Sequence, residues 1–414
     1  MKVNKKWVLG IICFIALIFF KGSIINAQTT YSPYSMFGIG ELESGEYGRN
    51  SGMAGVSLGI QNPDFLNCTN PASLSSLDSM TFLYDFAAST KWSTFYSGDV
   101  TEKAVNSGIK RVVMGFRVSH HWSLGFGMVP YSSVGYKILS SQPVEGTDGS
   151  TIPVNFDGSG GINKFFITNA FRITPKISVG VNTSFLTGSI FSGETISGWS
   201  IEKTSNVRKL YFDFGIQYTG LIKNKIKYVA GFVYGYSSPL SLDNNLTVTD
   251  DFGNLLKNES TGIEAQNLPM FYGAGLSVIL NNKLTLAADY QYQKSSEFKS
   301  DFPSVYFNDA HKFKFGAEFK SNRSYYTNYF QKIHYQTGFS IGNSYLNING
   351  TNPITFGICA GIVLPIKNSA FFNLSVEAGK TGSNVNFGQI QENYIRLNLN
   401  ITFKDVWFLK HKYD

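Results

Sequence analysis

Fourteen segments of alternating apolar and polar residues, joined by connections that are short on one side and long on the other, leave few folds open to this chain. The segments run near 80–97, 109–119, 122–136, 161–173, 176–191, 208–222, 225–238, 268–280, 283–296, 311–320, 331–342, 354–366, 369–381 and 393–403. Most hold about 10–16 residues, where strands of soluble proteins average about 5–6 and a tilted strand crosses a bilayer in about 9–11. His120-His121, Thr174-Pro175, Lys223-Asn224, Asn281-Asn282 and Lys367-Asn368 read as tight polar turns. Between them lie long polar stretches near 137–160, 192–207, 239–267 and 297–310. One further connection, 321–330, is longer than this rule predicts. Short turns on one side and long loops on the other mark an outer-membrane barrel. An even strand number then puts both chain ends on the periplasmic side.

The faces agree with that reading. Side chains alternate across a strand. Ile395, Leu397, Leu399, Ile401 and Phe403 point one way, and Tyr394, Arg396, Asn398, Asn400 and Thr402 the other. Phe313, Phe315 and Phe319 oppose Lys312, Lys314 and Glu318, and Phe372, Leu374 and Val376 oppose Asn373, Ser375 and Glu377. One face meets lipid and the other a wet lumen. The sheet must close, because unpaired backbone groups cannot face hydrocarbon. The expected fold is all-β: a 14-stranded antiparallel transmembrane β-barrel over 80–403.

Composition excludes the main alternatives. Charged residues are 15% of the chain, aromatic residues another 15%, against about 25% charged in ordinary soluble domains. Disorder requires more charge and fewer aromatics. The net charge of +7 owes much to Lys2, Lys5, Lys6 and Lys21; without these four, 31 basic residues face 28 acidic ones. No basic block points to nucleic acid. The early lysines precede an apolar run, Trp7 to Phe20, and Ile25-Asn26-Ala27 ends it in the manner of a cleavage site. Residues 1–27 therefore read as a signal peptide, which exports the chain toward the outer membrane of a Gram-negative cell. The two later cysteines, Cys68 and Cys359, read as small buried hydrophobes, with a disulfide as the alternative.

Residues 28–79 lack sustained alternation. They carry Gly52-Met53-Ala54-Gly55, then Asn62-Pro63-Asp64, then Asn70-Pro71-Ala72-Ser73-Leu74. This order resembles the amino-terminal hatch of FadL-like outer-membrane proteins, the long-chain fatty acid transporter family. Asn62-Pro63-Asp64 reverses the acid–proline order expected of that family. The resemblance implies a plug inside the barrel, with Gly52, Met53, Gly55, Asn70, Pro71 and Ala72 as its signature. Phe37, Met53, Phe65 and Leu66 are its candidate apolar contacts. It also implies passage of hydrophobic, fatty-acid-like molecules through a hatch-gated lumen. The alternative function is a protein-interaction barrel serving secretion or outer-membrane assembly, since the family includes a branch that serves type IX secretion. The expected partners are outer-membrane lipid and a hydrophobic ligand, or secretion and assembly proteins. Residues 404–414 form a tail placed on the periplasmic side.

The inward positions carry many charges: Asp85, Arg111, Arg117, Lys164, Arg172, Asp213, Asp289, Lys312, Lys314, Glu318, Glu377 and Arg396. Two roles stay open for them, bracing of a plugged wall or reception of a carboxylate head group near the hatch. No catalytic assignment survives the sequence. Gly338-Phe339-Ser340-Ile341-Gly342 has the hydrolase spacing, yet it sits in a strand with no helix behind it. His120-His121 reads as a turn. Asp243, Asp250, Asp251 and Glu259 make an acidic stretch without the order of a calcium loop. No pattern calls for a metal or a cofactor.

Overall fold

The computed structural model describes residues 32–407 except 44–45, 144–145, 147–148, 224, 299–304, 321–328, 349, 367–369 and 384–389. The expected signal peptide, the end of the tail and most of the 321–330 connection lie outside the described residues.

Fourteen strands form one closed antiparallel barrel: β1 Thr81–Ser97, β2 Val100–Arg117, β3 Trp122–Pro143, β4 Thr151–Arg172, β5 Ile177–Ile196 and β6 Trp199–Ile222. Then come β7 Ile226–Gly235, continued by Ser238–Asp250, and β8 Met270–Leu280, preceded by Leu255–Leu268. The circuit ends with β9 Leu284–Lys294, β10 Ala310–Lys320, β11 His334–Asn343, β12 Ile354–Ile366, β13 Ala370–Thr381 and β14 Gln391–Val406. Neighbours in sequence pair around the ring. β14 closes on β1, from Val406 against Thr81 to Gln391 against Tyr96. The last strand thus runs past residue 403, and Trp407 packs against Phe82 at 4.4 Å between ring centroids.

Alternation places the side chains. Ile395 is 54% exposed while Asn398, three residues on, is 3% exposed. Phe313, Phe315 and Phe319 face outward and Lys314 and Glu318 inward. The wall is uneven in height. β3 to β8 run on through the stretches 137–160, 192–207 and 239–267, which sequence alternation marks as loops. Those stretches are paired β-ribbons, for example Trp199 to Val207 against Asp250 to Leu242. Beyond the membrane the outward face of a ribbon meets water instead of lipid, so it need not be apolar and the alternation fades. Within 297–310, Val305–Phe307 pairs with Leu346–Ile348 in a separate two-stranded ribbon.

The plug threads the lumen. β1 and β14 begin and end side by side at the short-turn end. The described amino end, however, rises into the long-loop half rather than staying periplasmic. Ser32 N donates to Gly135 O at 2.7 Å, and Tyr345 Oη donates to Gly40 O at 2.7 Å. Residues Glu41–Leu42 pair with Ser133 and Ser132 of β3. They occupy an edge that β2 leaves free, because β2 and β3 pair only from Val112 to Arg117. The outer half of the lumen is filled by an apolar cluster that joins Tyr34 and Ile39 to Ile162, Leu186, Leu240, Leu268, Phe307 and Leu346. The inner half has a second cluster, Leu66, Leu74 and Leu77 against Leu83, Val113, Val129 and Phe166.

Candidate functional site

The site is the contact between plug residues 46–77 and the inner wall. It is built on two devices. The first is close approach of backbone to backbone, which glycines on the wall permit. A Cβ on Gly231 would lie 1.8 Å from Leu58 O, and one on Gly338 would lie 2.5 Å from Met53 C. No side chain fits there while the plug is seated.

The second device is hydrogen bonding from wall side chains to plug backbone. Asp289 accepts from Ser57 N at 2.7 Å and from Leu58 N at 3.0 Å. Gln217 Nε2 donates to Leu58 O at 2.8 Å. Ser277 Oγ donates to Gly59 O at 2.5 Å, and Lys314 Nζ to Gly55 O at 3.2 Å. Cys359 Sγ accepts from Ala54 N at 2.8 Å. The plug's short 3₁₀ helices, Arg49–Met53 and Pro71–Ser76, leave these groups of residues 55–59 unpaired, so the wall satisfies them. An unpaired buried backbone group costs about 1–3 kcal/mol, which makes the seating cooperative.

The hatch signature lies at this contact. Gly52 sits on Gly361, where a Cβ would meet the Gly361 Cα at 2.9 Å. Met53 is buried against Gly316 and Gly338. Gly55 adopts φ +68°, after Ala54 at +57°. Asn70 is buried and caps the short helix Pro71–Ser76 by accepting from Ala72 N at 3.1 Å. Its Nδ2 also donates to Leu58 O at 2.9 Å. Pro71 and Ala72 lie against Gly180.

Charges ring the plug. Arg111 is 0% exposed. It faces Asp85 at 3.3 Å and Glu46 at 3.7 Å, and donates to Leu66 O and Cys68 Sγ. Arg49 of the plug meets Glu318 at 2.5 Å. Arg117 donates to Leu77 O at 3.3 Å, and Arg172 to Ser75 O. Lys164 pairs with Asp213 at 2.8 Å, and Asn182 bridges Asp213 and Cys68 O. Arg396 pairs with Glu377 at 3.2 Å. Lys312 lines a small cavity with Lys314, Ser340, Glu377 and Arg396. Taking one partner from such a buried pair costs about 3–5 kcal/mol.

The structure therefore brings Arg111, Arg117, Arg172, Asp289 and Lys314 onto the plug itself. Lys164 and Asp213, and Glu377 and Arg396, brace the wall beside it. Sequence reasoning missed the plug's own ions. Glu43 meets Lys110 at 2.5 Å; Glu46 and Arg49 lie inside a stretch otherwise read as small and polar. Charges within a segment bound for a lumen were the available signal. Cys68 and Cys359 are free thiols.

Little space remains at the contact. Two cavities there measure about 10 and about 30 Å³; a water needs about 10–15 Å³, a small ligand a pocket of about 300 Å³ or more. A hollow of about 620 Å³ opens outward, on the lipid side of β8 to β12, among Leu276, Leu286, Phe315, Phe339 and Ile358. Ser340 is buried on the lumen face in mid-strand, and His334, on the same face, lies beside Arg49 at 3.1 Å. His120 and His121 are exposed in the β2–β3 turn.

In fold the chain is a FadL-like fourteen-stranded outer-membrane barrel. It is similar to a FadL homologue of Pseudomonas aeruginosa, with TM-score 0.56 and 12% identity over 87% of this chain and 98% of that one. It is similar to the toluene transporter TodX of P. putida, with TM-score 0.58 and 12% identity over 89% and 100%. The toluene transporter TbuX of Ralstonia pickettii gives 0.53 and 13% over 93% and 100%. At such identities the likeness is one of fold. No curated protein matches the sequence. The family model described as BamG matches residues 5–414.

Proposed function

We propose, since the chain belongs to the BamG family, that it works as a protein partner of the Bam outer-membrane assembly machinery. The family name supplies the association. One observation carries the reading here: the plug is held by hydrogen bonds and ion pairs from β1, β2, β4 to β6 and β8 to β14, nearly the whole circumference. Passage of a toluene-sized or fatty-acid-like molecule requires that this contact open. A partner of an assembly machine requires only a rigid wall with surfaces that others bind. On this reading the hatch signature and the inward ions are a seat and its clamps. Export by residues 1–27, a plug over 28–79 and a periplasmic tail after the last strand belong to the same proposal.

Depletion of the protein in its own cell tests it. The account expects other outer-membrane barrels to fall in abundance and to accumulate unfolded in the periplasm. Normal barrel levels together with lost uptake of a hydrophobic tracer would restore the conduit reading.

A further inference from the structure

The tallest part of the wall carries an apolar group where water should be its only neighbour. Phe252 is 90% exposed, the most exposed large apolar side chain among the described residues. It stands in the turn between Ser238–Asp250 and Leu255–Leu268. Trp199, Leu255 and Leu256 around it are also exposed. Trp199 pairs with Asp250, so the neighbouring turn at Gly198 lies alongside.

The turn is ordered by its own bonds. Asp250 Oδ1 accepts from Phe252 N at 2.9 Å and from Asn254 N at 2.8 Å, and Oδ2 accepts from Asn254 Nδ2 at 2.8 Å. Gly253 supplies φ +79°. Phe252 is thus presented by a fixed backbone, which lowers the entropy lost when it is captured.

Height separates this tip from the bilayer. On β6 the outward apolar series stops at Leu210; above it Arg208, Asn206 and Glu202 are exposed. From Leu210 to Trp199 the strand climbs roughly 25–30 Å, at about 3.3 Å per residue and 35–45° tilt. A headgroup layer is only about 5–8 Å deep. The tip stands clear of lipid.

Its charge narrows the occupant. Residues 194–204 and 247–259 hold Glu194, Glu202, Asp250, Asp251 and Glu259 against Lys203 and Lys257. The strand Leu255–Leu268 is guarded against strand addition. Two register shifts break it, and the exposed Lys257–Glu259 pair sits on it; bulges and charges discourage strand addition. Strand addition is discouraged here while the tip is left apolar.

We propose that the Phe252 turn is a docking anchor for a protein on the cell surface, received in an apolar socket with a basic rim. This deepens the protein-partner reading and rests on it. Exposed aromatic anchors on rigid turns are where interface energy concentrates.

The test uses the full chain in its native membrane, with a benzophenone amino acid at position 252 and, as control, at Asp99 in the β1–β2 turn. The expected result is one protein adduct at 252, absent at 99 and suppressed by 1 M NaCl. Phe252→Asp and Asp251→Lys, each still folded by heat-modifiable mobility, should lower recovery of that same protein at least about tenfold. Adducts only to lipid or to a second copy of this chain would overturn the proposal, as would undiminished recovery with Phe252→Asp. If Bam subunits copurify with both wild type and Phe252→Asp, and the protein crosslinked at 252 is recovered equally with the two, the anchor fails and the assembly role stands. If wild type carries no Bam subunit while the tip-dependent adduct persists, the assembly role fails and the anchor stands.

Discussion

Gly231→Ala puts one methyl where the plug backbone lies. Its Cβ would sit 1.8 Å from Leu58 O and 2.6 Å from Leu58 C. To reach even 3.0 Å, the carbonyl must retreat about 1.2 Å, and bonds of 2.8 and 2.9 Å from Gln217 and Asn70 then pass out of hydrogen-bond range. Leu58 N and Ser57 N are drawn off Asp289 by the same movement. Two neutral bonds at about 0.5–1.5 kcal/mol and two carboxylate bonds at about 1.5–3 set the loss at roughly 4–9 kcal/mol if all four go. The assay is the temperature at which the barrel changes from folded to unfolded electrophoretic mobility, with amide exchange at Leu58 as local reporter. Gly108→Ala is the control, since nothing lies within 4 Å of a Cβ there. The account expects a large fall and fast exchange for Gly231→Ala and neither for Gly108→Ala. Equal behaviour of the two would refute a plug seated by backbone contact.

Asp289→Ala should speed exchange at Ser57 and Leu58 and lower the unfolding temperature, because two buried N–H donors lose their acceptor. Arg111→Met should destabilise by about 3–5 kcal/mol, and adding Asp85→Asn should restore part of it; a further loss in the double variant would contradict the pairing. Cysteine at Ile395 should react with a lipid-soluble maleimide and cysteine at Asn398 should not, as their exposures require. Hydrogen bonds from the Asn254 side chain and backbone, then from Phe252 N, hold the Asp250 carboxyl below its usual range. Its folded value lies below the unfolded one, so the order it gives the turn is full above about pH 3.9 and is lost as pH falls through the lowered value. Amide exchange at Phe252 and Asn254, corrected for intrinsic rate, should therefore stay constant from pH 7 to pH 5.

The wall was legible because lipid imposes a rule on every second residue. Phe313 and Lys314 cannot exchange places without putting a charge in hydrocarbon, so register can be read from the chain. Above the membrane that rule lapses. Thr195, Glu202 and Asn206 form ribbon as well as any residue, yet nothing in their order says so. The site was half legible for a related reason. Parity marks Asp289 and Arg111 as inward. It cannot mark their partners, because Ser57 N, Leu58 N and Leu66 O are backbone groups that every residue owns. The path of the amino end was hidden in the same way. Its turn into the outer half depends on the edge of β3 left free near Ser132, a pairing vacancy rather than a residue type.

We propose a plugged barrel whose function lies in its protein contacts. Mass measurement on the complex gently extracted from its native membrane, for lipids and proteins together, tests it most directly. The account predicts stoichiometric subunits of the Bam assembly machinery and no stoichiometric amphiphile. The protein alone, with one fatty acid or hydrocarbon bound per chain, would contradict it.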